Sequence, residues 1–315
     1  MTASPPPGDR GLRRPRALHA GDRVAVLTAS SPANADRLDI GLDALRFAGL
    51  EPVVYASARE PGTLRHYLAG TEALRASDLR AALLDDSISG VLVASGGYGA
   101  QRTLEAMDWT GLDAVAPKVV VGYSDVTAVL EALAVKLGWT SLMGPMVSEH
   151  EFAEAYSFTS LQRCLMAPER VGTLRFDAGV TVVGGSARGR TAGGNLSLVA
   201  SSVGTDTSWR PHDAIVLLED EDEDDGRIDG MLTQLRRSGY LDTVAAVIAG
   251  TWHNCGPVGS IHPVLVDRLG DLGVPVLAWA NLGHGGHVQT FPIGVRAELD
   301  ADARTLRFLE PPLGP

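Results

Sequence analysis

The chain has 315 residues, of which 45% are hydrophobic and 21% are charged, and its formal net charge is −11. These values are typical of a globular protein with one large domain or two smaller ones. An acidic chain is a poor candidate for binding nucleic acid or anionic lipid, so we expect neither partner. No apolar run in the sequence approaches the roughly 20 residues that a transmembrane helix needs.

The N-terminal segment and the cysteines indicate the compartment. Residues 1–20 contain four arginines and several prolines but no apolar segment of a secretory signal, and they are predicted to form a disordered tail. The two cysteines, Cys164 and Cys255, are too few for a disulfide framework and are predicted to be buried free thiols. Both features favour a cytoplasmic protein.

Strands and helices alternate through the first half of the chain. Short apolar runs predict buried strands at 24–27, 53–55, 90–95 and 119–122. Periodic apolar residues predict helices at 36–49, 71–84 and 125–138. This alternation favours a parallel α/β sheet, in which functional residues gather at the carboxyl ends of the strands.

The second half continues the α/β pattern after a break. Residues 150–185 have weak periodicity interrupted by proline and glycine, which is typical of a connection. We therefore predict an N-terminal domain at 21–165, a linker at 166–185 and a C-terminal domain at 186–315. Further strands are expected at 180–183, 214–218, 245–249 and 274–278, helices at 231–235 and 263–269, and an edge hairpin at 295–309. The predicted fold class is α/β: a parallel-sheet domain with a nucleophile-elbow turn, followed by a mixed α/β domain rich in strands.

Ser124 is the first candidate for chemistry. The segment Gly-Tyr-Ser-Asp at 122–125 follows a predicted strand and opens a predicted helix. A sharp turn there would expose the Ser124 hydroxyl and direct the amide of Asp125 to the position of an oxyanion. The segment lacks the second glycine of G-x-S-x-G, and serine is also a favoured N-cap residue. The local sequence leaves both interpretations open.

A serine nucleophile needs a base and a carboxylate that orients that base. His284 lies in a glycine-rich loop after a predicted strand and is the best candidate base, with His66 and His253 as rivals. Glu219 directly follows a buried apolar run and is expected to point inward. The acidic run 219–225 lacks the spacing of an EF-hand, so we predict no metal and no cofactor.

The segment Gly-Gly-Tyr-Gly at 96–99 ends another predicted strand. It lacks the G-x-G-x-x-G spacing and the acidic residue of a dinucleotide site. Because glycine allows close approach of the backbone to a ligand, we predict that the amides of Gly96 and Gly97 join that of Asp125 in an oxyanion site.

These segments, in this order and spacing, resemble the LD-carboxypeptidase family. That family of serine peptidases includes muramoyltetrapeptide carboxypeptidase and the microcin C immunity hydrolases. The resemblance runs from about residue 21 to residue 294. It is carried by GDRVAV at 21–26, SSP at 30–32, YLAGT at 67–71, GGYG at 96–99, GYSD at 122–125, GGNLS at 193–197, LED at 218–220, and GH at 283–284 with PIG at 292–294.

The resemblance implies a catalytic triad of Ser124, His284 and Glu219, with the serine in one domain and the acid and base in the other. His284 is preferred to His287 because of its interval to the segment PIG at 292–294. The implied reaction is hydrolysis of the amide between an L centre of diaminopimelate or lysine and the terminal D-alanine of a murein tetrapeptide. The family is often homodimeric, and we expect a homodimer here.

Recognition of a free terminal carboxylate is expected to involve arginine. Arg102 and Arg227 are the candidates, with Tyr98 as a further substrate contact. Two positions depart from the family pattern, because Ser95 stands where many members carry a basic residue and Gly230 replaces a common arginine. These departures affect the identity of the substrate more than the type of reaction.

Two alternatives remain open from the sequence. One is a hydrolase of peptidyl or aminoacyl adenylates, for which Trp209 or Trp252 would stack on the base. The other is a two-lobed small-molecule binding protein without catalysis, whose α/β lobes would look similar. In both enzymatic interpretations the partner is a small peptide substrate, which is either a murein tetrapeptide or a peptidyl adenylate.

Overall fold

The protein is described by a computed structural model over residues 12–62 and 65–315. It contains two mixed sheets with helices packed on them, which confirms the predicted α/β fold class. The strands are β1 (Arg23–Leu27), β2 (Glu51–Val54), β3 (Ile88–Val93), β4 (Val119–Gly122), β5 (Ser141–Met143), β6 (Thr173–Arg175), β7 (Val180–Val183), β8 (Ser186–Asn195), β9 (Ala214–Glu221), β10 (Ala246–His253), β11 (Val276–Ala278), β12 (Phe291–Ile293), β13 (Arg296–Asp300) and β14 (Thr305–Phe308). The helices are α1 (Ala35–Phe47), α2 (Glu72–Leu84), α3 (Ala100–Glu105), α4 (Thr127–Leu137), α5 (Ala155–Met166), α6 (Leu196–Ser202), α7 (Asp225–Arg237) and α8 (Ile261–Leu269). Within the described ranges, no helix has both the length and the apolar character required to cross a membrane.

The first sheet has the strand order β12-β5-β4-β3-β1-β2. Its strands β5, β4, β3, β1 and β2 are parallel, and β12 is antiparallel to β5. Since parallel strands end at the same edge of a sheet, the segments after β1, β3 and β4 meet there. These are the segments SSP, GGYG and GYSD.

The second sheet has the strand order β6-β14-β13-β8-β9-β10-β11-β7. Its centre, β8 to β11, is parallel, whereas the outer strands β6, β7, β13 and β14 are antiparallel to their neighbours. The carboxyl end of β9 carries Glu219, and the chain after β11 leads to His284. Parallel pairing therefore also gathers Glu219 and the loop that carries His284 at one edge.

Residues 166–185, predicted to be a linker, take part in the second sheet. They contain β6, which pairs with β14, and β7, which pairs with β11. Both strands are short and partly exposed. Their residues therefore lack the continuous apolar pattern of a buried strand. In addition, β12 comes from the predicted C-terminal domain but pairs with β5 of the first sheet. The chain thus returns to its first sheet.

Residues 1–11 of the predicted tail lie outside the described residues. For residues 12–20 the structure differs from the prediction of disorder. Leu18 is fully buried, and its amide donates to the carbonyl of Leu165 at 2.8 Å. The amide of Arg13 donates to the carbonyl of Gly138 at 2.7 Å. Burial of Leu18 and these backbone hydrogen bonds hold this segment against α5 and the end of α4.

One apolar core cluster continues from the first sheet into the second. It includes Val91 and Val120 from the first sheet together with Ile215 and Ile248 from the second. Burial of this shared apolar surface is the main force that holds the two sheets together. The two halves of the chain are therefore packed as one body, and residues far apart in sequence can be brought into one site.

Candidate active site

The turn at Ser124 lies between β4 and α4. Ser124 opens a short 3₁₀ turn, Ser124–Val126, and its φ is +58°. A residue other than glycine rarely adopts this left-handed region, which costs about 1–3 kcal/mol. An N-cap residue has extended backbone and accepts a hydrogen bond from the following turn, whereas Ser124 has neither property. Its geometry is that of a nucleophile elbow rather than of a cap.

Gly96 faces Ser124 from the loop that follows β3. A Cβ atom at Gly96 would lie 3.2 Å from Cβ of Ser124 and 3.5 Å from its Oγ. Gly97 has a φ of +92°, and a side chain there would collide with Ser31. Within residues 12–62 and 65–315, neither glycine donates its amide hydrogen to another protein group. Both amides are therefore available to a ligand beside the hydroxyl.

The Asp125 carboxylate holds the three loops of the first sheet together. It accepts a hydrogen bond from Oγ of Ser30 at 2.6 Å and one from the amide of Ala100 at 2.7 Å. Burial raises the pKa of Asp125, and these two hydrogen bonds oppose that rise. The sequence suggested only the Asp125 amide as functional. The side chain has the separate role of positioning the segments at 30–32 and 96–99 around Ser124.

Glu219 and His284 form a buried pair. Nδ1 of His284 lies 2.7 Å from Oε2 of Glu219, and the backbone amide of His284 donates to the same oxygen at 3.0 Å. Because a carboxylate only accepts hydrogen bonds, Nδ1 carries a proton whether the ring is charged or neutral, and Nε2 is the nitrogen that can lose and regain one. Gly283 has a φ of +116°, and a side chain there would collide with the Glu219 carboxylate.

The imidazole reaches the turn of the first sheet. Its ring centroid lies 4.7 Å from that of Tyr123, at an interplanar angle of 43°. Since Tyr123 directly precedes Ser124, this contact brings the base from the second half of the chain to the serine turn. Of the three predicted triad residues, the structure pairs Glu219 with His284 directly and packs that pair against the neighbour of Ser124.

Carboxylates dominate the electrostatics at His284. Burial lowers the pKa of the imidazole, but the charge and hydrogen bond of Glu219, with the charges of Glu221 and Asp220, outweigh burial and raise it to about 9. His284 is therefore mainly an imidazolium at neutral pH. It has to lose its Nε2 proton before it can act as a general base.

Glu221 is a site residue that the sequence prediction missed. Its Oε1 lies 3.3 Å from Nε2 of His284, and its side chain is 40% exposed. Side chains two apart on a strand point to the same face, so Glu221 shares the face of Glu219 on β9. Asp220 points the other way and accepts hydrogen bonds from Asn195 and Ser197. The period of two, applied to the acidic run, is the signal that would have identified Glu221.

The predicted contacts to a substrate carboxylate are already engaged. Nε of Arg102 donates to Glu72 at 2.7 Å, and Nη2 of Arg227 donates to Glu223 at 3.1 Å. Tyr98 is 52% exposed. Its ring contacts that of Tyr67 edge to face, with the ring centroids 5.8 Å apart. Tyr98 is thus accessible beside the glycine loop, whereas each arginine would have to leave a carboxylate before binding another.

The other histidines are placed away from Glu219. His287 is 57% exposed and lies 3.2 Å from Oε2 of Glu154, the residue that caps α5. His66 packs edge to face on Tyr67 with the ring centroids 5.5 Å apart. His253 ends β10 and is exposed. In the described part of the chain, neither His66 nor His253 forms an ion pair within 4.0 Å.

The remaining candidates for chemistry are structural. Cys164 and Cys255 are free and buried, as predicted, and burial raises their thiol pKa values to about 12 and about 11. Trp252 is 7% exposed in an apolar core cluster, and Trp209 packs against the same cluster. Over residues 12–62 and 65–315, no group of three or more His, Cys, Asp or Glu side chains is arranged to hold a metal ion.

Comparison with known proteins decides the family. The chain matches the model of the LD-carboxypeptidase N-terminal domain over residues 24–144 and that of the LD-carboxypeptidase C-terminal domain over residues 188–299. The chain belongs to the LD-carboxypeptidase family. This confirms the family predicted from the sequence, and carboxypeptidase relatives identify this family member as a peptidase.

Relatives cover nearly the whole of this LD-carboxypeptidase family member. A protein of Streptomyces coelicolor that carries the name carboxypeptidase is 45% identical over 307 residues, which span 96% of this chain and 98% of the relative. The murein tetrapeptide carboxypeptidase of Pseudomonas aeruginosa is 27% identical over 299 residues, which span 89% and 94%. The structure of MccF in complex with glutamyl sulfamoyl guanosine has a TM-score of 0.85 at 21% identity and covers 96% of this chain and 99% of MccF. The likeness to MccF establishes a shared fold.

Proposed function

We propose that this protein is a serine carboxypeptidase that removes the terminal D-alanine from murein tetrapeptides. The bond cleaved is the amide that joins an L centre of diaminopimelate or lysine to D-alanine. The observation that carries the proposal is the buried Glu219–His284 pair, packed against the residue that precedes the strained Ser124 turn. A relative named murein tetrapeptide carboxypeptidase supports the choice of substrate.

Acylation begins at Ser124. Nε2 of neutral His284 takes the proton of Oγ as that oxygen attacks the amide carbonyl, so that a C–O bond forms and the carbonyl oxygen becomes an oxyanion. The amides of Gly96, Gly97 and Asp125 donate hydrogen bonds to the oxyanion. Glu219 stabilises the imidazolium through Nδ1 and keeps the ring oriented.

Collapse of the tetrahedral intermediate breaks the C–N bond. His284 gives its Nε2 proton to the nitrogen of D-alanine, which leaves with a free amino group. A water molecule then attacks the acyl-enzyme ester while Nε2 takes a proton from it, and return of that proton to Oγ of Ser124 releases a tripeptide carboxylate. Proton balance is restored at the end of each turnover.

Recognition of the D-alanine carboxylate is assigned to Arg102, with Arg227 and Tyr98 as further contacts. Bidentate binding of a carboxylate suits a guanidinium. Arg102 contacts Glu72, and Arg227 contacts Glu223. Each arginine would bind a substrate carboxylate by exchanging that partner for it. The released glutamate then has to be solvated, which is easier for Glu72, with 30% of its side chain exposed, than for Glu223, with 18% exposed.

A second candidate substrate is an aminoacyl or peptidyl adenylate. MccF has been solved with glutamyl sulfamoyl guanosine, and acyl transfer to a serine would serve both substrates. Trp252, one of the two candidates for stacking on a nucleobase, is buried in a core, and Trp209, the other, packs against the same core. This placement favours the murein tetrapeptide. A binding protein without catalysis would have no need of a buried Glu219–His284 pair, which costs desolvation.

The test of the proposed function is release of D-alanine from a tetrapeptide that ends in diaminopimelyl-D-alanine, compared with the same peptide ending in L-alanine. Replacing Ser124 or His284 by alanine should reduce kcat by several powers of ten. Ser77→Ala, at an exposed position of α2, is the matched control and should retain activity. Cleavage of a peptidyl adenylate but not of the tetrapeptide would select the second candidate, and normal turnover by Ser124→Ala would refute the serine mechanism.

We also propose that the enzyme acts in the cytoplasm and as a homodimer. Two free, buried cysteines suit a reducing compartment, and the homodimer follows from the family resemblance. Light scattering of the purified protein should give twice the mass of one chain, and a concentration-independent monomer would contradict the dimer.

A further inference from the structure

His284 lies between two carboxylates. Oε2 of Glu219 is hydrogen-bonded to Nδ1 at 2.7 Å, and Oε1 of Glu221 forms an ion pair with Nε2 at 3.3 Å. The two carboxylates are not equivalent, because Glu219 is fully buried while the Glu221 side chain is 40% exposed. The first is fixed by packing, whereas the second has room to move toward solvent.

Nε2 is the nitrogen that the proposed mechanism requires. It must lose its proton and face Oγ of Ser124 before acylation begins. A carboxylate close to Nε2 stabilises a proton there, and while Nε2 holds that proton it cannot accept one from a hydroxyl. In the free enzyme, Glu221 and Ser124 therefore compete for one nitrogen.

We propose that Glu221 is a positioning residue that holds Nε2 of His284 in the free enzyme and is displaced when substrate enters the cleft. This inference rests on the proposed function, because it assigns Nε2 the task of taking the proton from Ser124. Glu221 then sets the pH at which the free enzyme becomes active, and substrate binding removes that restraint.

The charged groups around Glu221 define how it responds. From β9 it faces the charge of Glu219, and from the residue that follows the strand that of Asp222. The loop after β11 contributes His284, β10 contributes His253, and the segment after β5 contributes Glu149. Burial is the largest influence on Glu221 and raises its pKa, and the like charges add to that rise while His284 and His253 oppose it. The imidazolium of His284 is thus a favourable neighbour for the Glu221 carboxylate, and the carboxylate in turn favours the proton on Nε2.

Displacement involves one proton and no covalent step. The Nε2 proton is released to solvent, and the Glu221 carboxylate turns away from the ring. The imidazole becomes neutral, keeps the Nδ1 proton that it donates to Glu219, and presents the Nε2 lone pair to Ser124. Hydrolysis then proceeds as described, and Nε2 takes a proton back from solvent when the product has left and Glu221 returns to it.

The first experiment is a pH–rate profile of Glu221→Gln, which keeps the size of the side chain and removes its charge. The profile of kcat/KM reports ionisations in the free enzyme, and that of kcat reports those in the substrate complex. We expect the acid limb of kcat/KM to move down by roughly 0.5 to 1 pH unit, a modest shift for a half-exposed pair. We expect the acid limb of kcat to stay in place, because Glu221 has already left His284 in the complex.

Asp222→Asn is the matched control. It removes one negative charge at the next position, where the side chain is exposed and makes no ion pair with His284 in the described residues. Asp222 has a φ of +57°, which asparagine tolerates. The kcat/KM limb of Asp222→Asn should move less than that of Glu221→Gln, because Asp222 acts through its charge alone and makes no contact with His284. Equal movement of the kcat/KM limb in both variants would mean that general charge and not contact sets the pH, and would overturn the proposal.

An NMR titration of His284 tests the contact without any substrate. In a Ser124→Ala background, the His284 ring nitrogens should titrate at lower pH with Glu221→Gln than with Glu221 intact. No change in the titration, an unmoved kcat/KM limb, or an equal shift of the kcat limb would each overturn the role of Glu221. If no tetrapeptide is cleaved but the titration moves, the proposed function fails while the contact is upheld. If D-alanine is released but neither readout moves, the inference alone fails.

Discussion

The carboxylate of Glu219 is held by more than its hydrogen bond to a ring nitrogen. Its Oε2 accepts hydrogen bonds from both Nδ1 and the backbone amide of His284. Glu219 therefore fixes the position of the His284 ring and of its main chain. Its Oε1 is buried and, within the described ranges, has no hydrogen-bond partner. An anion in such a place is stable only beside a compensating charge, which the imidazolium of His284 supplies.

Replacing Glu219 by glutamine should lower the plateau of kcat and, as a distinct effect, shift the pH dependence of kcat/KM. The amide keeps the shape but removes the charge, so the pKa of His284 should fall and the acid limb of kcat/KM should move to lower pH. Loss of the tautomer and of the stabilised imidazolium should reduce the plateau of kcat by roughly 10³- to 10⁴-fold. The measurement is a complete pH–rate profile. A plateau within threefold of the wild type would contradict the assigned role, as would a limb at higher pH.

The end of β8 is the element that joins the two halves of the site. Gly194 has a φ of +147°, and a Cβ there would lie 2.7 Å from Oγ1 of Thr127 in α4. The amide of Asn195 donates to that hydroxyl at 3.1 Å, and its side chain donates to Asp220 at 2.8 Å. The close approach at Gly194 and the hydrogen bonds of Asn195 thus place the second sheet against α4, the helix that follows Ser124.

Gly194→Ala should destabilise this junction. The added methyl group is forced against Thr127 in an unfavourable backbone conformation, and we expect a loss of about 1–3 kcal/mol in the free energy of unfolding with a fall in kcat. Urea unfolding and D-alanine release measure the two effects. Thr127→Ala removes the obstructing atoms, so the double variant should lose less stability than the sum of the single variants. Strict additivity would mean that the contact is not the cause.

At the scale of the whole molecule, the two halves share buried surface beyond the site. The core cluster runs through both sheets, and α4 packs on α6. Glu131 lies on α4 in this region and is 2% exposed. It lies near buried Tyr240 of the second half, whose pKa the Glu131 carboxylate would raise when ionised. Burial raises the pKa of Glu131 to about 8 from the ordinary value of 4.5, so the junction contains a carboxyl group that is neutral when folded.

Stability should therefore fall as the pH rises from about 4.5 to about 8. Over that interval the unfolded chain loses the Glu131 proton while the folded chain keeps it, and the penalty reaches at most about 5 kcal/mol at 1.36 kcal/mol per unit. Glu131→Gln should flatten this dependence and be more stable than the wild type at about pH 8. Urea unfolding at several pH values measures it, with exposed Glu105→Gln on α3 as the control. An unchanged pH slope in Glu131→Gln would refute the assignment.

Much of the fold was predictable from consecutive residues. The apolar runs at 24–27, 119–122 and 214–218 lie in β1, β4 and β9. They were recognisable because a strand that is buried on both faces has a continuous apolar sequence. The strand β8 was not predicted, since its first half is polar and its second half is rich in glycine. Its central place in the sheet comes from its neighbours β13 and β9, not from its own propensity.

By itself, the sequence determined the α/β class, the family and the identities of Ser124, Glu219 and His284 as candidates. Only the tertiary structure decided that the Ser124 backbone is strained and that this residue is not an N-cap. It also decided that Glu219 contacts Nδ1 of His284 and that Glu221 lies 3.3 Å from Nε2. Propensity and periodicity act between near neighbours in the chain. The contact of Tyr123 with His284 instead results from burial of a core that both halves share, and no local pattern records which distant residues that packing will bring together.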